Sequence, residues 1–390
     1  MTRNLLIVFF LSAWLALAAP AQTASTASPS SFLITNDDNS AFSDTSTFYP
    51  ILANGTLKNP ATVSTGGAGS GGGYFAANRV AVLNDSSSPC AFFSFGVSNT
   101  IVGVDILTQT VTGSFSASPT DNGADNGVGL VMNANYLYAA FSTSWTIATF
   151  SVEPGCTLQF LSDISPLGLN GGSVKGMALS GNLLVASYGD GSIQSFNVSG
   201  GVPVPNNDEQ YSTASSAENY PDGVDITQDG HYAIFGDVST TGVVEVSDIS
   251  SGTLTPTVVY AVSHGSAFNS NSVRLSPDGT LLYVANNTSG QVTAAFFNPA
   301  TGVVSPGCTS PRLKGFDSTF AYLSSPVTQQ TSGSGSVLYV AEFGQPSAIG
   351  VIHVSVSGCK CTLTEAAGSP VLDQSSQNLI SIGVYPPRPY

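Results

Sequence analysis

The stretch Val273-Arg-Leu-Ser-Pro-Asp-Gly-Thr-Leu-Leu-Tyr-Val-Ala-Asn286 decides the fold of this chain. It consists of an apolar run, a Pro-Asp-Gly turn and a second apolar run that ends in a polar residue. Asp-Gly between two such runs is a strong signal for a β-hairpin, because glycine adopts the positive φ that the tight turn requires. The stretch therefore predicts two antiparallel strands joined by a turn at residues 277–279.

The same hairpin recurs along the chain at a regular spacing. A close copy runs from Val224 to Asp237, and a sixth copy begins near Phe320. The first-strand valines of five copies lie about 46–50 residues apart, at Val80, Val128, Val174, Val224 and Val273. Each copy continues into an alternating third strand and a final outer strand. Four-stranded units with a period of about 40–50 residues are typical of a β-propeller.

The two ends of the chain supply a seventh unit in two pieces. Asn378–Val384 has the pattern of a first strand with nothing after it, whereas Phe32–Asn36 has that of a second strand with nothing before it. Joining them closes the ring and removes exposed strand edges. We therefore predict an all-β, seven-bladed propeller over residues 32–385, its first blade closed by the C-terminal strand, with residues 386–390 as a tail. A pair of β-sandwich domains would explain neither the spacing nor the complementary ends.

The charge balance restricts the partners of the protein. Only 8% of the residues are charged, and 9 Lys and Arg against 24 Asp and Glu give a net charge of −15. No basic patch of useful size can form, so we expect neither nucleic acid nor an anionic membrane as a partner. A hydrophobic content of 42% with so few charges also excludes a disordered chain. We expect a monomer.

The N-terminus has the layout of a secretory signal peptide. Arg3 precedes an apolar run over residues 5–17, and small residues follow up to Ala21. The run is shorter than the ~20 residues that a membrane span needs. We therefore predict a cleaved signal peptide over residues 1–21, a short Ser/Thr-rich leader over residues 22–31, and a protein that is secreted to the extracellular space or cell wall without membrane insertion.

Five Asn-x-Ser/Thr sequons fit an extracellular, eukaryotic glycoprotein. The predicted glycosylation sites are Asn54, Asn84, Asn197, Asn286 and Asn287. The chain also has five cysteines, and in an oxidising compartment these favour structural disulfides. An odd number leaves at least one thiol without a partner in the chain, and the pairing stays open at this point.

The repeat resembles the lactonase family of seven-bladed propellers, which includes 6-phosphogluconolactonase-like and carboxymuconate-cyclase-like proteins. The resemblance rests on the core Pro-Asp-Gly-x-Leu-Leu-Tyr-Val-Ala-Asn and the seven-fold count, and its best stretch is Tyr220–Pro306. It implies a secreted, fungal-type member that hydrolyses a lactone or acts as a muconate cycloisomerase. Family members typically carry Gly-Pro-Arg-His before an inner strand. Here Asn219–Gly223 and Asn269–Ser272 stand in that place, without an Arg-His pair.

Polar residues of the repeat are expected to meet at one mouth of the central channel. In a propeller, the loops that enter the inner strands and those that leave the second strands gather there. Two columns of the repeat therefore converge: Asn78, Asn126, Gly172, Asp222, Asn271 and Asn378 in one, Asn36, Ser187, Asp237, Asn286 and Glu342 in the other. A ring of amides and carboxylates suits a carbohydrate, a lactone or a hard cation such as Ca²⁺. The alternative is that these residues only cap strands and satisfy loop amides.

Lactone chemistry needs a proton carrier or a metal-activated water. Of the three histidines, only His264 precedes an inner strand on the mouth side. We therefore predict catalytic roles for Asp222, Asp237, Glu342 and His264, and substrate-binding roles for Asn271, Asn286, Asn126 and Asn78, with Ca²⁺ as the cofactor that such a ring would take. A second function stays open: a non-catalytic propeller that binds glycans, cell-wall components or protein partners.

Overall fold

The computed structural model describes most of the predicted propeller. The described residues are 31–40, 43–69, 78–85, 88–116, 128–141, 145–166, 168–214, 220–238, 242–262, 269–287, 289–316, 322–330, 336–344, 346–376, 378–379 and 381–387. The predicted signal peptide and all of the leader except Ser31 lie outside them. Within these ranges every regular element is a strand, and no helix has the length and apolar character needed to cross a membrane.

In the described ranges, thirty strands form seven sheets, which we number as blades 1 to 7. Blade 1 contains β1 (Phe32–Asn36), β2 (Thr45–Pro50), β3 (Ala61–Ser64) and a last strand given below. Blade 2 contains β4 (Val80–Leu83), β5 (Cys90–Phe95), β6 (Thr100–Asp105) and β7 (Thr110–Ser116). Blade 3 contains β8 (Val128–Met132), β9 (Tyr136–Phe141), β10 (Ile147–Glu153) and β11 (Thr157–Ile164). Blade 4 contains β12 (Val174–Ser180), β13 (Leu183–Tyr188), β14 (Ser192–Asn197), β15 (Val204–Pro205) and β16 (Gln210–Tyr211).

The remaining blades follow the same plan. Blade 5 contains β17 (Pro221–Ile226), β18 (Tyr232–Asp237), β19 (Val243–Asp248) and β20 (Val258–Ala261). Blade 6 contains β21 (Ser270–Leu275), β22 (Leu281–Asn286), β23 (Gln291–Asn298) and β24 (Val303–Thr309). Blade 7 contains β25 (Tyr322–Gln330), β26 (Ser336–Phe343), β27 (Ala348–Ser357), β28 (Lys360–Glu365) and β29 (Val371–Leu372). The last strand, β30 (Ser381–Tyr385), belongs to blade 1.

Blade 1 is closed by the two ends of the chain, as predicted. Its strand order is β3-β2-β1-β30, and β30 runs antiparallel to β1 from Phe32 opposite Tyr385 to Asn36 opposite Ser381. The closing strand begins at Ser381, three residues later than the hydrophobic pattern indicated. The prediction of an all-β, seven-bladed propeller is confirmed.

The Asp-Gly turns form as the sequence indicates. In the turn between β21 and β22, Gly279 has a φ of 70°, and the Ser276 hydroxyl donates to the Asp278 carboxylate at 2.5 Å. The Leu281 amide in turn donates to the Ser276 hydroxyl at 2.9 Å. In blade 5, the Thr227 hydroxyl bonds the Asp229 carboxylate at 2.6 Å. A hydroxyl two residues before the aspartate therefore locks both hairpins.

The hydrophobic core lies between adjacent blades. The second strands are its centre: Leu282, Tyr283 and Val284 of β22 have no exposed surface. Side chains alternate along a strand, so each second strand packs against the blade before it and the blade after it. Each blade therefore contributes to the two interfaces with its neighbours.

Two disulfides connect neighbouring blades. Cys90 of β5 bonds Cys156, in the turn before β11, and Cys308 of β24 bonds Cys361 of β28. Cys359 is exposed and has a free thiol. The expectation of structural disulfides with one thiol left over is therefore confirmed.

Candidate functional site

The inner strands begin, and the second strands end, at the same end of the central channel, which we call the upper mouth. The opposite end, where turns join the first strand to the second and the third to the fourth, is the lower face. Three registers show the arrangement of the upper mouth: Pro221 opposite Asp237, Ser270 opposite Asn286, and Ser381 opposite Asn36. The two polar columns of the repeat therefore reach one end of the ring.

Asp222 lies at the start of β17, between the inner strands of blades 4 and 6. Its carboxylate accepts a hydrogen bond from Asn271 Nδ2 at 2.5 Å, and only 5% of the residue is exposed. Burial raises the pKa of Asp222 to about 7; the positive charge of Lys175 opposes this rise and the nearby Asp237 adds to it. A carboxyl group that titrates near neutrality exists in both protonation states under ordinary conditions, so it can both accept and donate a proton.

Glycines allow the inner strands to approach closely at this point. A Cβ atom on Gly223 would lie 2.7 Å from the backbone oxygen of Asn271, and one on Gly176 would collide with the backbone oxygen of Asp222. Backbone atoms of a neighbouring strand cannot easily move away, so neither position accepts a larger residue. The close approach brings Asp222 and Asn271, from different blades, within hydrogen-bonding distance.

Blades 4, 5 and 6 each carry a charged residue directly after the inner-strand valine, and sequence analysis missed this column. Asp225 and Arg274 of the column line the central cavity, whereas Lys175 Nζ lies 5.6 Å from the centre of the Tyr220 ring. In five repeats this position holds Ala81, Gly129, Lys175, Asp225 and Arg274. A charged residue within an otherwise apolar strand is the signal that would have revealed Lys175, Asp225 and Arg274.

Arg274 and Asp225 line a central cavity of about 120 Å³. Arg274 Nη1 lies 3.8 Å from Asp225 Oδ1, and Asp225 Oδ2 accepts a hydrogen bond from the Leu275 amide at 2.7 Å. Apolar side chains of the inner strands form most of the wall, and Asn78 also contributes. Among the described lining residues, Arg274 is the one cation and Asp225 the one anion, so the cavity wall carries an ion pair at this point.

Asp237 and Asn286 are buried at the ends of their second strands. Neither side chain has exposed surface. Asn286 Nδ2 donates to the Thr293 hydroxyl at 2.9 Å and thus connects β22 to β23. Asp237 is near enough to Asp222 to raise its pKa. The structure therefore brings Asp222, Asn271 and Asp237 together, whereas it turns the Asn286 amide towards its own blade.

Glu342 lies at the end of β26, enclosed between Gly315 and Gly350. The residue is 1% exposed, and among the described residues neither carboxylate oxygen has a hydrogen-bond partner. Burial, followed by the charge of Glu365, raises the pKa of Glu342 to about 8. Neither Glu342 nor Asp222 is among the described residues that line the cavity. The charges that act on the two carboxyl groups also differ: Glu365 acts on Glu342, whereas Lys175 and Asp237 act on Asp222.

A buried ion pair occupies the upper mouth between blades 1 and 2. Arg79 Nη1 lies 2.5 Å from Asp38 Oδ1, and the side chains are 2% and 1% exposed. The Arg79 amide donates to the Ser381 hydroxyl at 2.8 Å, and Asn36 Nδ2 donates to the backbone oxygen of Ser94 at 2.8 Å. Sequence analysis missed Arg79, although it directly follows the predicted Asn78. These bonds tie the closing strand to blade 2.

Two of the predicted site residues, Asn126 and His264, lie outside the described residues. The Ca²⁺ ion stays a prediction. In the described part of the chain, no group of three or more His, Cys, Asp or Glu residues is placed to hold a metal ion.

Solved structures share this architecture. A candidate 6-phosphogluconolactonase from Bacteroides uniformis has a TM-score of 0.66 and 13% identity, over 91% of this chain and 99% of that one. A second candidate 6-phosphogluconolactonase, from Bacteroides fragilis, has a TM-score of 0.65 and 15% identity, over 94% and 99%. A protein from Lactobacillus plantarum has a TM-score of 0.59 and 13% identity, over 91% and 99%. At these identities the likeness establishes the fold alone.

Sequence comparisons identify the family. No curated protein matches the chain. The family model described as "Lactonase, 7-bladed beta-propeller" matches residues 96–368, which include Lys175, Asp222, Asn271 and Arg274. Since the match covers well over half of the chain, this protein belongs to the lactonase family of seven-bladed β-propellers.

Proposed function

We propose that this protein is a secreted lactonase-type enzyme that hydrolyses or isomerises a lactone at the upper mouth, with Asp222 as the proton carrier. The observation that carries the proposal is the Asp222 carboxyl, whose pKa of about 7 accompanies a 2.5 Å hydrogen bond from Asn271. Membership of the lactonase family supports the substrate class.

Hydrolysis of a lactone needs few groups. A water molecule attacks the ring carbonyl, and the Asp222 carboxylate accepts its proton. The ring oxygen leaves as the carbon–oxygen bond breaks and takes a proton, which the protonated Asp222 can return. Asn271 orients the carboxyl group through its amide. A cycloisomerase would use the same group to move a proton to or from carbon.

The charged column supports an anionic substrate. Arg274 faces the cavity 3.8 Å from Asp225, and Lys175 lies beside Asp222. An anionic group would compete with Asp225 for the Arg274 guanidinium. A guanidinium in an apolar wall binds a carboxylate more strongly than it would in water, because the surroundings screen the charges less. Arg274 would therefore hold a carboxylate of the substrate, or the negative charge that develops on the carbonyl oxygen during attack. Asp237 would keep the pKa of Asp222 high.

Turnover assays with Asp222 variants test the proposal. The full chain is assayed on aldonolactones and muconolactones, and kcat/KM is expected to rise with pH through about 7 as Asp222 ionises. Asp222→Asn should lower kcat at least about 100-fold. Asp248→Asn, at an exposed position on the lower face, is the matched control and should leave kcat unchanged. Lack of turnover on every lactone, or full activity of Asp222→Asn, would refute the proposal.

Further arms of the assay separate the other predicted roles. His264→Gln tests a second proton carrier, and Arg274→Gln should raise KM more than it lowers kcat if Arg274 holds the substrate. Assays with EDTA, followed by added Ca²⁺, test the calcium ion: activity lost with EDTA and restored by Ca²⁺ would establish it.

A second candidate function is the binding of a glycan without turnover. Two exposed aromatic rings in neighbouring blades favour it: Trp145, before β10, and Tyr211 of β16 are 38% and 46% exposed. Asn170 Nδ2 donates to the Tyr211 hydroxyl at 2.5 Å and positions this ring. Aromatic faces at the upper end of adjacent blades suit stacking on sugar rings. Retention of a soluble β-glucan should fall in Trp145→Ala and Tyr211→Ala; unchanged retention in both would exclude this function.

A further inference from the structure

Four of the five sequons divide into two groups by their place in the propeller. Asn54 follows the end of β2, where Pro50 lies opposite Phe32, and Asn197 ends β14, opposite Leu183. Phe32 and Leu183 begin second strands, so both asparagines lie on the lower face. Asn286 and Asn287, by contrast, lie at the end of β22 on the upper mouth.

The asparagines of the lower face present the atom to which a glycan is attached. Asn54 Oδ1 accepts a hydrogen bond from the Thr56 amide at 3.1 Å, and Asn197 Oδ1 accepts one from the Ser199 amide at 2.9 Å. Both contacts are exposed, and within the described residues Nδ2 of Asn54 and of Asn197 makes no hydrogen bond. The carboxamide is therefore oriented by its oxygen, while its nitrogen faces solvent.

The backbone that carries these two asparagines is held by the preceding blade. The Tyr339 hydroxyl donates to the backbone oxygen of Gly55 at 2.7 Å, and the Tyr138 hydroxyl donates to that of Gly201 at 2.7 Å. Both tyrosines are buried. An equivalent anchor in two different blades fixes each turn against the body of the ring, so the exposed asparagine has a defined place.

The asparagines of the upper mouth have no room for a sugar. Asn286 is 0% and Asn287 5% exposed. Asn286 Nδ2, the atom that would carry the glycan, already donates to Thr293 at 2.9 Å. A glycan added there to the unfolded chain would prevent β22 from packing, so the folded, secreted protein cannot carry one at this position.

We propose that Asn54 and Asn197 are N-glycosylation sites and that Asn286 and Asn287 are not, so that carbohydrate covers the lower face and leaves the upper mouth open. In the transfer, the bond between the first sugar carbon and the diphosphate of a lipid-linked oligosaccharide breaks, and that carbon bonds Nδ2. Nδ2 loses one of its two protons, and the lipid diphosphate leaves with the bonding electrons. Asn84 is also exposed, but among the described residues no hydrogen bond orients its carboxamide, and the proposal does not include it.

Peptide mapping by mass spectrometry tests the proposal. The full chain is secreted from a eukaryotic host and treated with an amidase that converts each glycosylated asparagine to aspartate in ¹⁸O-labelled water. Label is expected at residues 54 and 197 and absent at 286 and 287. Thr56→Val and Ser199→Ala remove the sequons but keep both asparagines, and each should abolish the label at its own site. Asn182→Gln, an exposed position outside any sequon, is the control and should change nothing.

Two results would overturn the proposal. One is secreted, folded protein in which residues 54 and 197 stay unlabelled; the other is label at residue 286 or 287 in protein that melts cooperatively. The mapping needs no substrate, so its outcome is independent of the lactonase assay.

Discussion

Two buried aspartates at the upper mouth show how differently the same residue can be used. Asp38 is paired with Arg79 at 2.5 Å, and the pair connects blades 1 and 2 beside the closing strand. Asp222 has the amide of Asn271 at 2.5 Å, and burial raises the pKa of Asp222 to about 7. The first carboxylate has a guanidinium as its partner, whereas the second has an uncharged amide. The partner, more than the depth of burial, decides which carboxylate stabilises the ring and which one can do chemistry.

Removal of the closing strand should destabilise the ring more than any single substitution. Deletion of residues after Val371 takes away β30 together with Ser381, which binds the Arg79 amide. Cooperative thermal unfolding should be lost, because blade 1 then lacks its inner strand and the ring stays open. Calorimetry measures this. Deletion of residues 388–390 alone is the control and should leave the transition unchanged; a normal transition in the long deletion would show that the ring closes without β30.

Arg79→Met tests the ion pair alone. The substitution leaves the Asp38 carboxylate buried without its cation, and we expect a loss of about 3–5 kcal/mol in the free energy of unfolding. Urea titration measures the loss. The double variant Asp38→Asn/Arg79→Met should recover part of it, because no charge is then left buried. A loss below about 1 kcal/mol in Arg79→Met would contradict the stabilising role of the pair.

Glu342 is a third buried carboxyl group, and among the described residues it has no hydrogen-bond partner. Its pKa in the folded protein is about 8, against an unfolded value of about 4.3. The unfolded chain loses the proton first as pH rises, so the wild-type protein should lose stability between about pH 4 and pH 8. Glu342→Gln should remove roughly 4 kcal/mol of this dependence. The exposed Glu153→Gln is the control, and equal pH profiles of wild type and Glu342→Gln would count against the raised pKa.

Asp222→Asn should have the smallest effect on stability. At pH 5, below its folded pKa of about 7, the carboxyl group is protonated and the asparagine amide resembles it closely. The variant can also keep the hydrogen bond from Asn271. We expect a change of less than about 1 kcal/mol at pH 5 by urea titration. A loss as large as that of Arg79→Met would place Asp222 among the residues that hold the ring.

The strands could be predicted from the sequence because they depend on local chemistry. The turn at Asp278-Gly279 and the apolar alternation around it act within one hairpin, and their repetition predicted the ring. The direction of a side chain at a strand end depends on packing between blades instead. Glu342 therefore matched the polar column but lies enclosed between Gly315 and Gly350.

The contacts of the charged residues could not be predicted either, because they also depend on packing between blades. Lys175 and Arg274 belong to strands that the sequence predicted correctly, but contacts between blades determine what these side chains face. The pairing of Arg79 with Asp38 joins positions on separate blades. The sequence around Arg79 and the sequence around Asp38 therefore do not predict, each by itself, that the two residues pair.

The split blade has a consequence for the biosynthesis of the protein. The ribosome makes β1 before the other six blades and β30 after them, so the inner edge of β1 has no permanent partner while those blades are translated. An open strand edge is a template for pairing with another chain. Nascent copies of this protein can therefore aggregate throughout the synthesis of the six intervening blades, and the pairing of β30 with β1 ends that exposure.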